Sequence, residues 1–207
     1  MSPQNNVPIA TLQDAYEHAR LANVHPAAWQ NPKPADCYQL VIVGAGPAGI
    51  AAAETAAALG ARVALIERRL IGGTCLNTGC IPSKTLIRTS RLYADMRNAT
   101  HYGAQIPDDI RVDFAAVMER VRRIRSHLSR GDSARRLTAL GVDVFFGNAC
   151  FTGTDALTVN DKTLHFKKAV IATGARPHIP SIPGLREAGC LTNADVFKLT
   201  ELPRRLL

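Results

Sequence analysis

An apolar run from Gln39 to Val43 empties directly into Gly44-Ala45-Gly46-Pro47-Ala48-Gly49, and an alanine-rich stretch, Ile50 to Leu59, follows without interruption. A strand that ends in a GxGxxG turn and restarts as a helix is the opening of a βαβ unit. Gly44 permits the tight bend, Gly46 lets backbone approach a pyrophosphate, and Gly49 allows the helix to pack closely on the strand. The helix beginning at Pro47 and Ala48 then faces the phosphates with unpaired amides and a partial positive charge. Glu67 closes a second strand, Arg62 to Ile66, near the spacing expected of a carboxylate that accepts hydrogen bonds from ribose hydroxyls. Such a carboxylate favours FAD or NAD and repels the 2′-phosphate of NADP. Arg68 and Arg69 beside it read as solvent-facing.

Hydrophobic periodicity carries the same architecture onward. A helix is expected from about Ser83 to Asn98. A second long helix, with Asp113 as N-cap, belongs to a helical region that Gly141 ends, and Val142 to Phe146 reads as a buried strand. Short strands between Ala149 and Phe166, turning at Asn160-Asp161, form a hairpin or meander. Another buried strand, Lys168 to Ala172, delivers Thr173-Gly174 to the sheet edge where ligands of open α/β sheets bind. The expected fold class is α/β: a Rossmann-like doubly wound domain over residues 37–207 with a small β-meander insertion. Residues 1–36, proline-containing and with a short helical stretch around Leu12 to Leu21, read as an N-terminal extension outside the core. Trp29, the only tryptophan, either pins that extension to the domain or belongs to a loose terminus.

With 207 residues, 46% of them hydrophobic and 20% charged, the chain can bury a substantial core. No apolar run is long enough to span a bilayer, so no membrane partner is expected. Met1 to Ala10 lacks a secretory pattern, and a cytoplasmic setting is expected. In that compartment a disulfide is more often catalytic than structural. The net charge of +8 is concentrated in Arg120, Arg122, Arg123, Arg125, Arg130, Arg135 and Arg136. These alternate with Val117, Val121, Ile124 and Leu128 at helical spacing, which reads as the basic solvated face of an amphipathic helix. No nucleic-acid partner is expected, since no nucleic-acid motif accompanies the arginines.

Cys75 and Cys80 lie inside Gly72-Gly73-Thr74-Cys75-Leu76-Asn77-Thr78-Gly79-Cys80-Ile81-Pro82-Ser83-Lys84. Disulfide geometry needs Cα atoms within about 7 Å, and a regular helix separates positions five apart by more than that. The two can pair only if their segment departs from regular helix, and Gly72-Gly73 and Gly79 give that latitude. A helix starting near Ile81-Pro82 would favour a thiolate at Cys80, and the ammonium of Lys84, one turn on, could stand beside it. Two buried thiols or a zinc site are the alternatives. The spacing and the lack of a second ligand pair argue against zinc, and no metal site is expected. Cys37, Cys150 and Cys190 are isolated.

GGTCLNTGCIPSK, preceded by VIVGAGPAGIAAA and Glu67 and followed by AVIATGARP, resembles the class I pyridine nucleotide-disulfide oxidoreductases, which include dihydrolipoamide dehydrogenase, glutathione reductase and mercuric reductase. The resemblance runs from about Tyr38 to the C-terminus, and the general look is most like the mercuric-reductase-like members. It implies FAD along Gly44 to Gly49, with Glu67 on the adenosine ribose and Gly73-Thr74 beside the cofactor. It further implies Lys84 near the flavin, Ala149 at the adenine, and Ala172-Thr173-Gly174 closing over the dinucleotide. Cys80 is then the flavin-proximal thiol and Cys75 the interchange thiol of a redox disulfide. Electrons would pass from NAD(P)H through FAD to that disulfide and on to a small disulfide or a metal ion such as mercuric ion. Family members also carry a second, NAD(P)-binding domain and a C-terminal dimerisation domain that supplies a His-Glu pair. Neither is in this sequence, so the expectation is an N-terminal portion of a longer homodimer or, alternatively, a truncated, catalytically incomplete FAD-binding module, with substrate left open.

Overall fold

The computed structural model describes residues 14–107 and 109–206. Its centre is the expected βαβ unit: β1 (Tyr38–Val43), α2 (Pro47–Ala58) and β2 (Val63–Glu67), preceded by α1 (Ala15–Val24). The cysteine segment forms α3 (Gly73–Thr78) and α4 (Cys80–Asn98). Then come α5 (Phe114–Leu128), α6 (Ala134–Ala139), β3 (Val142–Phe146), β4 (Ala149–Phe151), β5 (Ala156–Val159) and β6 (Lys162–Ile171). The strands make one six-stranded sheet in the order β3-β2-β1-β6-β5-β4. The first four are mutually parallel, and β4 and β5 run antiparallel beyond them. This mixed sheet with helices over it is a Rossmann-like α/β domain.

β2 has no polar residue before Glu67 because it is buried on both faces. Ile42, Leu65 and Val144 face a layer made by Ile50, Ala53, Leu76 and Leu137, while Val41, Ala64, Ile66 and Phe145 face Leu157, Val159, Leu164 and Phe166. Each large side chain sealed in this way contributes about 1.5–3 kcal/mol. The meander covers the second face of the sheet as the helices cover the first. Among the described residues, no helix is long and apolar enough to cross a membrane.

Four expectations change. The strands expected before Phe166 and from Lys168 to Ala172 are joined in one: β6 pairs antiparallel with β5 through its first half and parallel with β1 through its second. Nothing between Phe166 and Lys168 breaks an extended chain, so the return arm of the hairpin simply continues into the sheet. Its second half is not buried, and Ile171 is 69% exposed. The helical region before Gly141 is two helices, because Ser133 caps a new start by accepting from the Arg136 N–H. The cysteine segment is itself helical, and α4 begins at Cys80 rather than Ser83.

The fourth change is the place of residues 14–36, expected outside the core. Asp14 caps α1 by accepting from the N–H groups of Tyr16 and Glu17, and Val24 is fully buried. β3 is an edge strand, whose outer backbone groups need partners. Trp29 Nε1 donates to Val144 O (3.3 Å), and Asn31 accepts from Phe146 N (2.7 Å) and donates to Phe146 O (2.8 Å). Trp29 does pin this segment, and the side-chain amide of Asn31 serves both backbone groups of Phe146. The Leu12 end of the expected helix lies outside the described residues.

Asn31→Ala should lower stability by about 1–2 kcal/mol by leaving the Phe146 N–H without its acceptor. Urea unfolding followed by far-UV circular dichroism measures this, and an unchanged midpoint would contradict it.

Candidate functional site

The glycines of the first turn divide by what surrounds them. Gly44 has φ +107°, and a Cβ there would stand 2.3 Å from Ala172 O; a Cβ on Gly49 would stand 1.8 Å from Gly44 O. Both positions are closed by the chain's own backbone. At Gly46 the nearest heavy atom to an added Cβ is Gly73 Cα, at 3.9 Å. The protein itself therefore leaves room at Gly46, on the side where the α2 N-terminus has no side-chain cap. Bare amides beside unfilled space suit a phosphate group, and the dinucleotide inferred from the sequence fits these residues.

Ala45, fully buried, links the turn to two other elements. Its N–H donates to Glu67 Oε2 (2.9 Å), and its carbonyl accepts from the Gly72 N–H (2.8 Å). Glu67 Oε1 accepts from Arg69 N (2.8 Å), so the carboxylate is held at the mouth of the turn. Pro47 and Ala48 are exposed at the start of α2, and Gly73 packs on Gly46. Ala172, whose N–H donates to Val43 O (2.8 Å), lies with Thr173 against Gly44, and Gly174 follows them. Ala149 stands apart on β4; its nearest tie is Gly147, two residues earlier, whose N–H donates to Glu67 O (3.0 Å).

The break in helix required between the cysteines is at Gly79, with φ −142° and ψ −109°. A Cβ there would lie 2.8 Å from Thr74 O, so the two short arms fold close together. Cys75 lies in α3 and Cys80 opens α4. Both are free thiols, and Cys80 stands close enough to act on Cys75. Burial pushes the Cys75 thiol above its ordinary range, followed by its contact with Cys80 and the charge of Asp132. The ammonium of Lys84, exposed on α4, acts in the opposite direction. Asp132, against Gly72, is itself raised by burial and by Glu54.

Breaking the helix orphans the last carbonyls of α3. Arg125 Nη1 donates to Asn77 O (2.9 Å), and Asn193 Nδ2 donates to Thr78 O (3.1 Å). The Asn77 side chain, 6% exposed, donates to Ile71 O (3.0 Å) and Gly73 O (2.8 Å) and accepts from Arg20. Nothing in the sequence pattern assigns Asn77, Arg20, Arg125, Asn193 or Asp132 to the site. Only Asn77, a polar residue enclosed between the cysteines, offered a local signal. Arg122 and Arg125 also correct the reading of a solvated basic face: they are 8% and 3% exposed and paired with Asp14 and Glu17 of α1. Among the described residues, no three His, Cys, Asp or Glu side chains cluster as a metal site.

Residues 38–207 match the family described as pyridine nucleotide-disulphide oxidoreductase. The chain is 36% identical to a dihydrolipoyl dehydrogenase from Acholeplasma laidlawii, over 82% of this chain and 52% of that one. It is also 36% identical to a mercuric reductase from Staphylococcus aureus, over 82% of this chain and 31% of the relative. It thus spans about half and about a third of their lengths. The HOCl-induced flavoprotein disulfide reductase RclA from Escherichia coli superposes with a TM-score of 0.61 at 33% identity, covering 80% of this chain and 35% of RclA. A Cu(II) complex of RclA gives a TM-score of 0.56 at 34% identity, over 72% of this chain and 31% of RclA.

Iodoacetamide labelling of Cys75 against pH, read by peptide mass spectrometry, should show a thiol that titrates above an ordinary cysteine. Lys84→Gln removes the cation that lowers it and should move the midpoint up; Asp132→Asn should move it down. Coincident midpoints in the three proteins would contradict this electrostatic picture.

Proposed function

This chain belongs to the pyridine nucleotide-disulphide oxidoreductase family, and from that premise we propose that it is the FAD-holding portion of an enzyme whose working disulfide forms between Cys75 and Cys80. The observation that carries the proposal is the hydrogen bond from Gly72 N–H to Ala45 O, which ties the thiol-bearing segment to the dinucleotide turn. Gly46 and the amides of α2 would hold the pyrophosphate, Glu67 the ribose, and Gly73-Thr74 the neighbouring part of the cofactor. Ala172 to Gly174 and the backbone at Ala149 would border the dinucleotide, and Lys84 would stand near the flavin. FAD supplies two-electron chemistry between a nicotinamide donor, NAD(P)H, and a disulfide.

The protein's own step is thiol–disulfide exchange. The Cys75 thiolate attacks a disulfide substrate, one substrate thiol leaves, and Cys80 displaces the second from the mixed disulfide. The substrate disulfide gains two electrons and two protons as Cys75 and Cys80 become a disulfide. The family relatives point to two substrate classes, small disulfides and metal ions such as mercuric ion. A cytoplasmic setting and a homodimeric full-length protein belong to the same proposal. The share of the relatives that this chain spans favours a second reading for the chain by itself: an FAD-binding module without NAD(P)H turnover.

The purified chain should be yellow with bound FAD. Gly46→Ala should weaken FAD by about 1–3 kcal/mol through crowding at the phosphates, with folding stability changed by less than about 1 kcal/mol. Gly49→Ala should instead destabilise the fold itself. Folded, colourless protein that takes up no FAD would overturn the reading. Cys75→Ser should keep FAD and lose disulfide exchange, and undiminished exchange would remove Cys75 from its proposed role.

A further inference from the structure

Glu17, Arg20 and Arg125 form one buried unit behind the cysteine segment, with side chains 13%, 8% and 4% exposed. Glu17 Oε2 accepts from Arg20 Nη2 (2.6 Å), while Glu17 Oε1 accepts from Arg125 Nη2. The carboxylate therefore orients two guanidinium groups at once. Both then reach the same residue: Arg20 Nη1 donates to the side-chain oxygen of Asn77, and Arg125 Nη1 donates to its backbone carbonyl. Asn77 lies between the two cysteines and, through Nδ2, fixes the start of α3 at Ile71 and Gly73.

We propose that α1 is a positioning element of the redox site: Arg20, oriented by Glu17, holds Asn77 so that the break at Gly79 keeps Cys75 and Cys80 in pairing geometry. Burying three charges costs several kcal/mol per ion before their attraction is counted. Apolar residues would anchor a helix at lower cost, and α1 already has Val24 in the core. Arg125 Nε also stays without a partner among the described residues. Such a network is suited to directional control of what it touches, and what it touches is the residue between the thiols. This inference rests on Cys75 and Cys80 being the redox pair.

The test equilibrates the full 207-residue chain with glutathione. Protein dithiol gives two electrons and two protons to glutathione disulfide, yielding the Cys75–Cys80 disulfide and two glutathione thiols. Quenched samples are read by mass spectrometry, and thermal midpoints are measured in parallel. Arg20→Ala and Glu17→Gln should lower the equilibrium constant for disulfide formation about five- to tenfold, the scale of a coupling lost within one network. Arg20→Lys, which keeps a charge beside Glu17 without the planar fork, should restore part of it. Arg122→Ala is the control: it breaks the largely buried Arg122–Asp14 pair on the same α1–α5 seam, but its hydrogen bond goes to Asp14 and not to Asn77. It should lower the thermal midpoint and leave the thiol equilibrium unchanged. Equal shifts in the Arg20 and Arg122 variants, or no shift in the Arg20 and Glu17 variants, would overturn the positioning role. If the unaltered chain forms no Cys75–Cys80 disulfide, the redox reading fails and this one falls with it.

Discussion

Two thiols five residues apart cannot meet along a regular helix, and most of what surrounds Cys75 and Cys80 answers that constraint. The backbone turns at Gly79, and the turn leaves the last carbonyls of α3 without the partners a continuous helix would have supplied. In a buried segment such groups must be satisfied from elsewhere. Arg125 and Asn193, 48 and 115 residues distant from the carbonyls they serve, supply the donors. The local geometry of the cysteine pair therefore depends on the folding of nearly the whole described chain.

The second dependency runs through Ala45. A single residue accepts, through its carbonyl, from the start of the cysteine segment and donates, through its N–H, to the carboxylate at the end of β2. A dinucleotide turn and a thiol pair are separable ideas in a sequence; here they share one backbone residue. The three glycines of the turn do different work for the same reason. Gly44 and Gly49 make way for the chain itself, whereas an added Cβ at Gly46 would meet nothing nearer than Gly73 Cα at 3.9 Å.

The βαβ opening, the N-cap at Asp113 and the required break between the cysteines were all legible because each is a local rule about spacing or backbone freedom. The parts that were not legible are long-range pairings. Arg122 and Arg125 carry the helical periodicity of a solvated face, and nothing within α5 says that Asp14 and Glu17 will cover them. Residues 14–36 look like a terminal arm until the edge of β3 is known to need donors and an acceptor, which Trp29 and Asn31 provide. The apolar run ending at Ala172 reads as a separate buried strand, and nothing local says that it continues the arm carrying Leu164 and Phe166 with its own residues mostly exposed. Asn77 could have been singled out from its place between the cysteines, but its partners could not.

Anaerobic reductive titration of the oxidised, FAD-loaded chain tests most directly whether turn and thiol pair form one redox unit. Uptake of two electron pairs per bound FAD, with Cys75 and Cys80 recovered as thiols, is the expected result. Uptake of a single pair, with the state of the two cysteines unchanged, would contradict it.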